Sequence, residues 1–387
     1  MPIKVEDYYA PATFQRMKAF ADTQETPFVV IDTAIISQAY DDLRAGFEFA
    51  KVYYAVKANP AVEIIDLLKE KGSSFDIASI YELDKVMGRG VSPDRISYGN
   101  TIKKSKDIRY FYEKGVRLFS TDSEADLRNI AKAAPGSKIY VRILTEGSTT
   151  ADWPLSRKFG CQTDMAMDLL ILARDLGLVP YGLSFHVGSQ QRDISVWDAA
   201  IAKVKVIFER LKEEDGIELK LINMGGGFPA NYITRTNSLE TYAEEIIRFL
   251  KEDFGDDLPE IILEPGRSLI ANAGILVSEV VLVARKSRTA VERWVYVDVG
   301  MFSGLIETMG EAIKFPLYTE KKGEMEEVVI AGPTCDSADI MYENYKYGLP
   351  LNLAIGDRVY WLSTGAYTTS YSAVEFNGFP PLKSFYL

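Results

Sequence analysis

The 387 residues carry 47% hydrophobic and 26% charged side chains, the proportions of a globular protein long enough for two domains, or for one large barrel with an addition. A formal net charge of −11 excludes the basic footprint by which proteins hold nucleic acid, and no uninterrupted apolar run approaches a membrane span. Two cysteines, Cys161 and Cys335, and one histidine, His186, exclude a disulfide framework and argue against a zinc site, so no metal is expected.

The first residues, Met1 to Asp7, lack the apolar core of a signal peptide, which makes the cytoplasm the expected location. Residues 1–25 read as irregular or helical, 27–31 as a strand and 37–49 as an amphipathic helix. A regular alternation then begins. Strands are predicted at 51–56, 74–78, 95–98, 117–120, 138–144, 181–187, 219–224 and 260–264. Helices are predicted between them at 61–72, 80–87, 105–114, 124–134, 164–176, 196–212 and 239–254, with a short helical piece at 268–273. Ser105 is the expected N-cap of its helix.

Eight strand–helix units predict an α/β fold with a parallel sheet closed into a (β/α)8 TIM barrel; a doubly wound open sheet is the alternative. The rhythm stops after residue 275. Segments 274–284, 293–299, 327–330 and 357–362 are rich in Val, Ile, Tyr and Trp and predict a C-terminal β domain, which the strand near Phe28 would join. The expected division is a barrel over 32–272 and a β-rich domain from 1–31 and 273–387.

In such a barrel the active groups sit at the C-terminal ends of the strands. The unusual residues do fall there: Lys57 after the first barrel strand, Asp76 at the end of the second, Arg142 on the fifth, His186 at the end of the sixth, Gly225-Gly226-Gly227 after the seventh, and Glu264 and Arg267 after the eighth. A buried lysine loses its proton more readily and becomes a nucleophile able to form a Schiff base with an aldehyde; the plain alternative is a strand-end lysine that snorkels to water. The glycine run lets backbone N–H groups approach an anion, or makes a simple tight turn. Arg267 suits a phosphate and Glu264 a pyridinium nitrogen, or the two form a salt bridge with each other. His186 is either a hydrogen-bonded core residue or a ring that stacks on an aromatic cofactor. In the tail, Cys335 stands beside Asp336 in a turn-like segment, where an inert thiol is the commoner fate.

Taken together, the motifs YYAVKANP, FDIAS, HVGSQ, GGGFP, EPGR, GPTCDSAD, GAYT and FNGF resemble those of the fold-type III pyridoxal-phosphate decarboxylases with the alanine racemase-like barrel. Within that group the chain is most similar to ornithine/lysine decarboxylases, over residues 27 to 380. The resemblance implies pyridoxal 5'-phosphate held by Lys57 as a Schiff base, with His186 stacked on its ring and Glu264 paired with its ring nitrogen. It implies Ser189, Gly226, Gly227, Arg267 and Tyr367 at the phosphate, with Asp76 and Arg142 close to the cofactor and Lys57. It implies a homodimer with shared active sites, in which Cys335 and Asp336 come from the other subunit, Cys335 to deliver a proton and Asp336 to seat the distal ammonium of a small cationic amino acid. A loop near 148–158 resembles a segment of the family that covers the site.

The chain also departs from the pattern. Phe302 aligns with a tyrosine, and Glu311 with an aspartate, of eukaryotic-type ornithine decarboxylases; Glu307 and Glu311 are both candidates for the second acid at the distal ammonium. The expected reaction is decarboxylation of L-ornithine to putrescine, or of L-lysine to cadaverine, in polyamine biosynthesis. Diaminopimelate decarboxylase is the rival enzyme, although its tail motif has Cys-Glu where this chain has Cys335-Asp336. A non-catalytic relative that binds a regulatory partner is the rival of another class, against which Lys57, Glu264 and Cys335 together argue.

Overall fold

The structure, a computed structural model, describes residues 3–145, 150–153 and 158–387. The first strands in chain order are β1 (Phe28–Ile31), β2 (Ala50–Ala55), β3 (Ser74–Ile77), β4 (Ile96–Tyr98), β5 (Leu118–Thr121) and β6 (Lys138–Arg142). Then come β7 (Ala151–Trp153), β8 (Val179–Ser184), β9 (Ser189–Gln191), β10 (Leu221–Asn223), β11 (Glu260–Leu263) and β12 (Gly274–Ala284). The last are β13 (Arg293–Val297), β14 (Leu317–Tyr318), β15 (Met325–Ala331), β16 (Ile340–Pro350), β17 (Arg358–Leu362) and β18 (Lys383–Tyr386). The chain separates into two compact units, one of residues 37–229 and 237–266, the other of the residues up to 36 with 230–236 and 267–387.

The first unit is the barrel. Eight strands close it in the order β10-β11-β2-β3-β4-β5-β6-β8, every neighbouring pair parallel. Both faces of these strands are buried, which is why they read as near-continuous apolar runs. Inside, Tyr53, Tyr140, Leu221 and Ile262 pack together, with Leu118 and Tyr181 against them. Outside, helices present apolar residues at helical spacing, such as Ile64, Ile65 and Leu68 of helix Val62–Glu70. Local chemistry fixes several helix ends. Ser79 accepts the Glu82 N–H at 3.3 Å while the Glu82 carboxylate accepts the Ala78 N–H at 2.7 Å, a reciprocal cap for helix Ile80–Gly88. Helix Ser195–Asp215 stops at Gly216, whose φ of +65° provides a left-handed C-cap. Ser105 is not an N-cap: it is the first helical residue, Lys104 occupies the cap, and no side chain closes that end. β7 and β9 form a small antiparallel pair beside the barrel strands.

The second unit holds an eight-stranded mixed sheet in the order β14-β17-β12-β13-β15-β16, with β1 pairing β12 antiparallel and β18 parallel. Helix Pro11–Ala21 lays Phe14, Met17 and Ala21 on it, against Phe28, Val30, Ile275, Val277, Tyr360 and Leu362. The division differs from the expected one at residues 32 and 272. It falls at Ile36/Ser37 and Gly266/Arg267, and 230–236 crosses over, because Arg267 and Tyr232 are bonded to each other inside the sheet unit. Among the described residues no helix is long and apolar enough to cross a membrane.

Candidate active site

Within the barrel unit, Lys57 lies in the 3-10 turn Val56–Ala58 that leaves β2. It is exposed, so the expectation of a buried lysine is corrected: the turn lifts it out of the β2 strand, whose last residues are buried. Asp76 is on β3, the neighbour of β2, and accepts a hydrogen bond from the Ser97 hydroxyl of β4 at 3.1 Å. Enclosure, then the Glu264 carboxylate, push its carboxyl well above the usual range, with Lys57 pulling the other way. Arg142 closes β6, its guanidinium 5.0 Å from the Phe159 ring. Glu264 follows β11 directly.

His186 lies two residues beyond β8 rather than on it. Its Nδ1 accepts the Gly188 N–H at 3.0 Å, so the neutral ring carries its proton on Nε2. Burial, then Arg142 and Lys57, push its pKa well below the usual 6.5, which keeps it neutral. Ser189 opens β9. The turn Gly225–Gly227 follows β10, with φ of +64° at Gly225 and +104° at Gly227. At Gly226 a Cβ would meet the Glu264 carbonyl oxygen at 2.6 Å and His186 Nε2 at 3.4 Å, so the turn passes close to both.

The charges of Lys57, Asp76, Arg142, His186 and Glu264 act on one another, so the fold does bring these five together. An accessible amine, a neutral planar imidazole, a carboxylate and a glycine turn are the donor set that suits a flat aromatic aldehyde with an anionic group. Burial raises the Glu264 carboxyl, while Asn223, Arg142 and Lys57 oppose that rise. Asn223, the end of β10, was missed in the sequence. It stands two residues before Gly225, a spacing at which an asparagine often turns the chain, and that was the available signal.

In the sheet unit, Arg267 finds its ion-pair partner in Glu307. It is 3% exposed and forms a two-pronged ion pair with Glu307, at 2.7 and 2.6 Å, and a 2.9 Å bond to the Tyr232 hydroxyl. The guanidinium also lies 4.9 Å from the ring of Tyr367, which adopts a left-handed φ of +55°. Glu307 is thus engaged by Arg267. Glu311 accepts the N–H groups of Glu343, Asn344 and Tyr345 at 2.8, 2.6 and 3.0 Å; against the effect of burial, these bonds hold its carboxyl below the usual range. Cys335 and Asp336 are both exposed. The Cys335 N–H donates to the Asn377 side chain of FNGF at 3.0 Å, and Asp336 accepts the Ala338 N–H at 2.8 Å. Asp339 underlies this turn and was also missed; it is buried and accepts the Thr334 hydroxyl at 2.6 Å and the Met301 N–H at 2.8 Å. Residues 148–149 and 154–157 of the expected covering loop lie outside the described residues.

Residues 33–271 match the family model described as pyridoxal-dependent decarboxylase, pyridoxal binding domain. The lysine/ornithine decarboxylase of Selenomonas ruminantium is 33% identical over 94% of this chain and 90% of its own. The ornithine decarboxylase of Saccharomyces cerevisiae is 32% identical over 92% of this chain and 79% of its own. The crystal structure of lysine/ornithine decarboxylase from Vibrio vulnificus, complexed with cadaverine, superposes with a TM-score of 0.88 at 28% identity, covering 98% of this chain and 99% of that one.

Proposed function

Because the chain belongs to the pyridoxal-dependent decarboxylases, we propose that it removes the α-carboxylate of a basic diamino acid, L-ornithine to putrescine foremost and L-lysine to cadaverine besides. The observation that carries this reading is the gathering of Lys57, His186, Glu264 and the Gly225–Gly227 turn at one end of the barrel strands. Pyridoxal 5'-phosphate, when bound, supplies an electron sink for the bond to the leaving carboxylate. Lys57 would hold it through its side-chain amine. His186, neutral and fixed by Gly188, presents a ring face. Glu264 holds a proton at the ring nitrogen, so it acts on the charge that develops as the bond breaks. Gly226, Gly227 and Ser189 offer donors to the phosphate, and by resemblance Arg267 and Tyr367 join them. Asp76 and Arg142 set the charge balance around Lys57 and Glu264.

The tail residues belong to the same reading. Cys335 and Asp336 are exposed on the sheet unit and serve the barrel of a second copy in a homodimer. There the thiol returns a proton to the α-carbon, and Asp336 meets the distal ammonium of the substrate. Glu307 is neutralised by Arg267 and Glu311 accepts three backbone N–H groups, whereas Asp336 is exposed and accepts one, which favours Asp336 for that role. A cytoplasmic site of action is part of the same proposal, supported by the need for Cys335 to remain a thiol.

The test measures CO2 release and specificity constants for ornithine, lysine and diaminopimelate, with borohydride reduction and mapping of the modified lysine. Ornithine or lysine should exceed diaminopimelate by about 100-fold or more, because a distal carboxylate would face Asp336. Between ornithine and lysine one methylene is worth about 10- to 200-fold. Preference for diaminopimelate, or a label on a lysine other than Lys57, overturns the assignment.

A further inference from the structure

Asn223 is completely buried at the end of β10, and its amide takes part in a closed ring of three hydrogen bonds. Its Nδ2 donates to Glu264 Oε1 at 2.5 Å, and its Oδ1 accepts the Gly225 N–H at 2.9 Å. The ring is completed by the Glu264 N–H, which donates to the Gly225 carbonyl at 2.8 Å. The Asn223 carbonyl in addition accepts the Phe185 N–H at 3.0 Å, immediately before His186.

We propose that Asn223 is a positioning residue that aims the Glu264 carboxylate and, with the same amide, shapes the Gly225–Gly227 turn, so that the ring-nitrogen and phosphate ends of the cofactor site are set by one side chain. This rests on the reading of Glu264 and of the glycine turn given above. The two bonds demand opposite things of residue 223. The carboxylate needs a donor, and the Gly225 N–H needs an acceptor, and an amide supplies both. Asparagine also makes the two-residue turn to Gly225 that the left-handed φ of that glycine continues. Glutamine has the same groups but one more methylene, for which a fully buried position has no room.

An aspartate at 223 separates the two roles. It still accepts from Gly225, but it cannot donate to a carboxylate and sets a like charge beside it. A leucine of similar size removes both bonds. The donor to Glu264 is also the foremost of the three influences that counter its burial, ahead of Arg142 and Lys57.

The experiment compares wild type, N223D and N223L, each stripped of cofactor and reloaded with pyridoxal 5'-phosphate. Cofactor affinity is read by titrating the visible band, and kcat and KM are measured at saturating cofactor. N223D should bind cofactor within about 3-fold of wild type, show a displaced band, and lose about 10- to 100-fold in kcat with KM little changed, the worth of a hydrogen bond to a charged group. N223L should share the kcat loss and bind cofactor about 10-fold more weakly than N223D.

An N223D enzyme with the band and kcat of wild type overturns the inference about Glu264. Equal cofactor affinity of N223D and N223L overturns the inference about the turn. If N223L does not fold, N223D, the closer in shape, decides through its band and its kcat. A wild-type protein with neither band nor turnover would instead bring down the function on which the inference rests, which keeps the two failures apart.

Discussion

His186 is the only histidine in the chain, so its titration stands alone among imidazoles. Its folded-state pKa lies below the ordinary 6.5, and as the pH falls the unfolded chain takes up the proton first. The stability tied to its neutral form is complete above about pH 6.5 and lost as the pH drops toward the folded value. Between pH 7.5 and 5.5 the cofactor-free protein should therefore lose more stability than its His186→Asn variant, read from denaturant midpoints. Equal losses in the two would mean that the imidazole is as well solvated folded as unfolded. Glu264→Gln should keep cofactor but turn over about 100-fold or more slowly, because an amide cannot hold a proton at the ring nitrogen. An unchanged kcat would remove Glu264 from the chemistry. That Lys57, His186 and Glu264 lie near strand ends was legible in the sequence because each stands inside a short motif after an apolar run; the roles proposed for them rest on the resemblance. Asn223 was not, since its meaning depends on a carboxylate 41 residues away. Nor was the pairing of Arg267 with Glu307, 40 residues further along the chain.

The turn after β10 shows how an element narrows what its residues can be. At Gly226 an added Cβ would press on the Glu264 backbone carbonyl at 2.6 Å, and a main-chain oxygen has no rotamer by which to yield. Gly226→Ala should accordingly displace the turn and weaken cofactor binding about 10-fold or more, measured by titration of the visible band, since about 1.4 kcal/mol already accounts for that factor. Binding as tight as wild type would mean that the turn is not a phosphate cradle. The barrel strands were legible as elements because burial on both faces leaves apolar runs cut by turns. Helix Pro11–Ala21 is only weakly marked in the sequence, for its buried face is only Phe14, Met17 and Ala21. β16 was missed because exposed Glu343 and Asn344 interrupt its buried residues. β18 is only four residues long, and only its pairing with β1 makes it a strand.

At the scale of the assembly, the proposed exchange of Cys335 between copies has an arithmetic consequence. Lys57→Ala and Cys335→Ala chains are each expected to be nearly inactive alone. After random exchange about half of the dimers are mixed, and each mixed dimer has one site that collects both changes and one that collects neither. About a quarter of wild-type activity should return, with exchange verified by mass spectrometry of differently tagged chains. Complete exchange without recovery would mean that Cys335 does not serve a neighbour. Within one chain, the pairing of β1 with β18 sets an order of events during translation. Phe28 faces Lys383, 355 residues further on, and the other mate of β1 begins only at Gly274. The four residues of β1, each completely buried in the finished sheet, leave the ribosome long before either mate has been made. Every barrel strand, by contrast, has been synthesised once Leu263 is in place. Contacts so distant in sequence form slowly, and an unmated apolar strand is a natural client for chaperones in the meantime. A nascent chain should thus gain protease resistance first over residues 37–266, and in the sheet only once β18 has emerged from the ribosome.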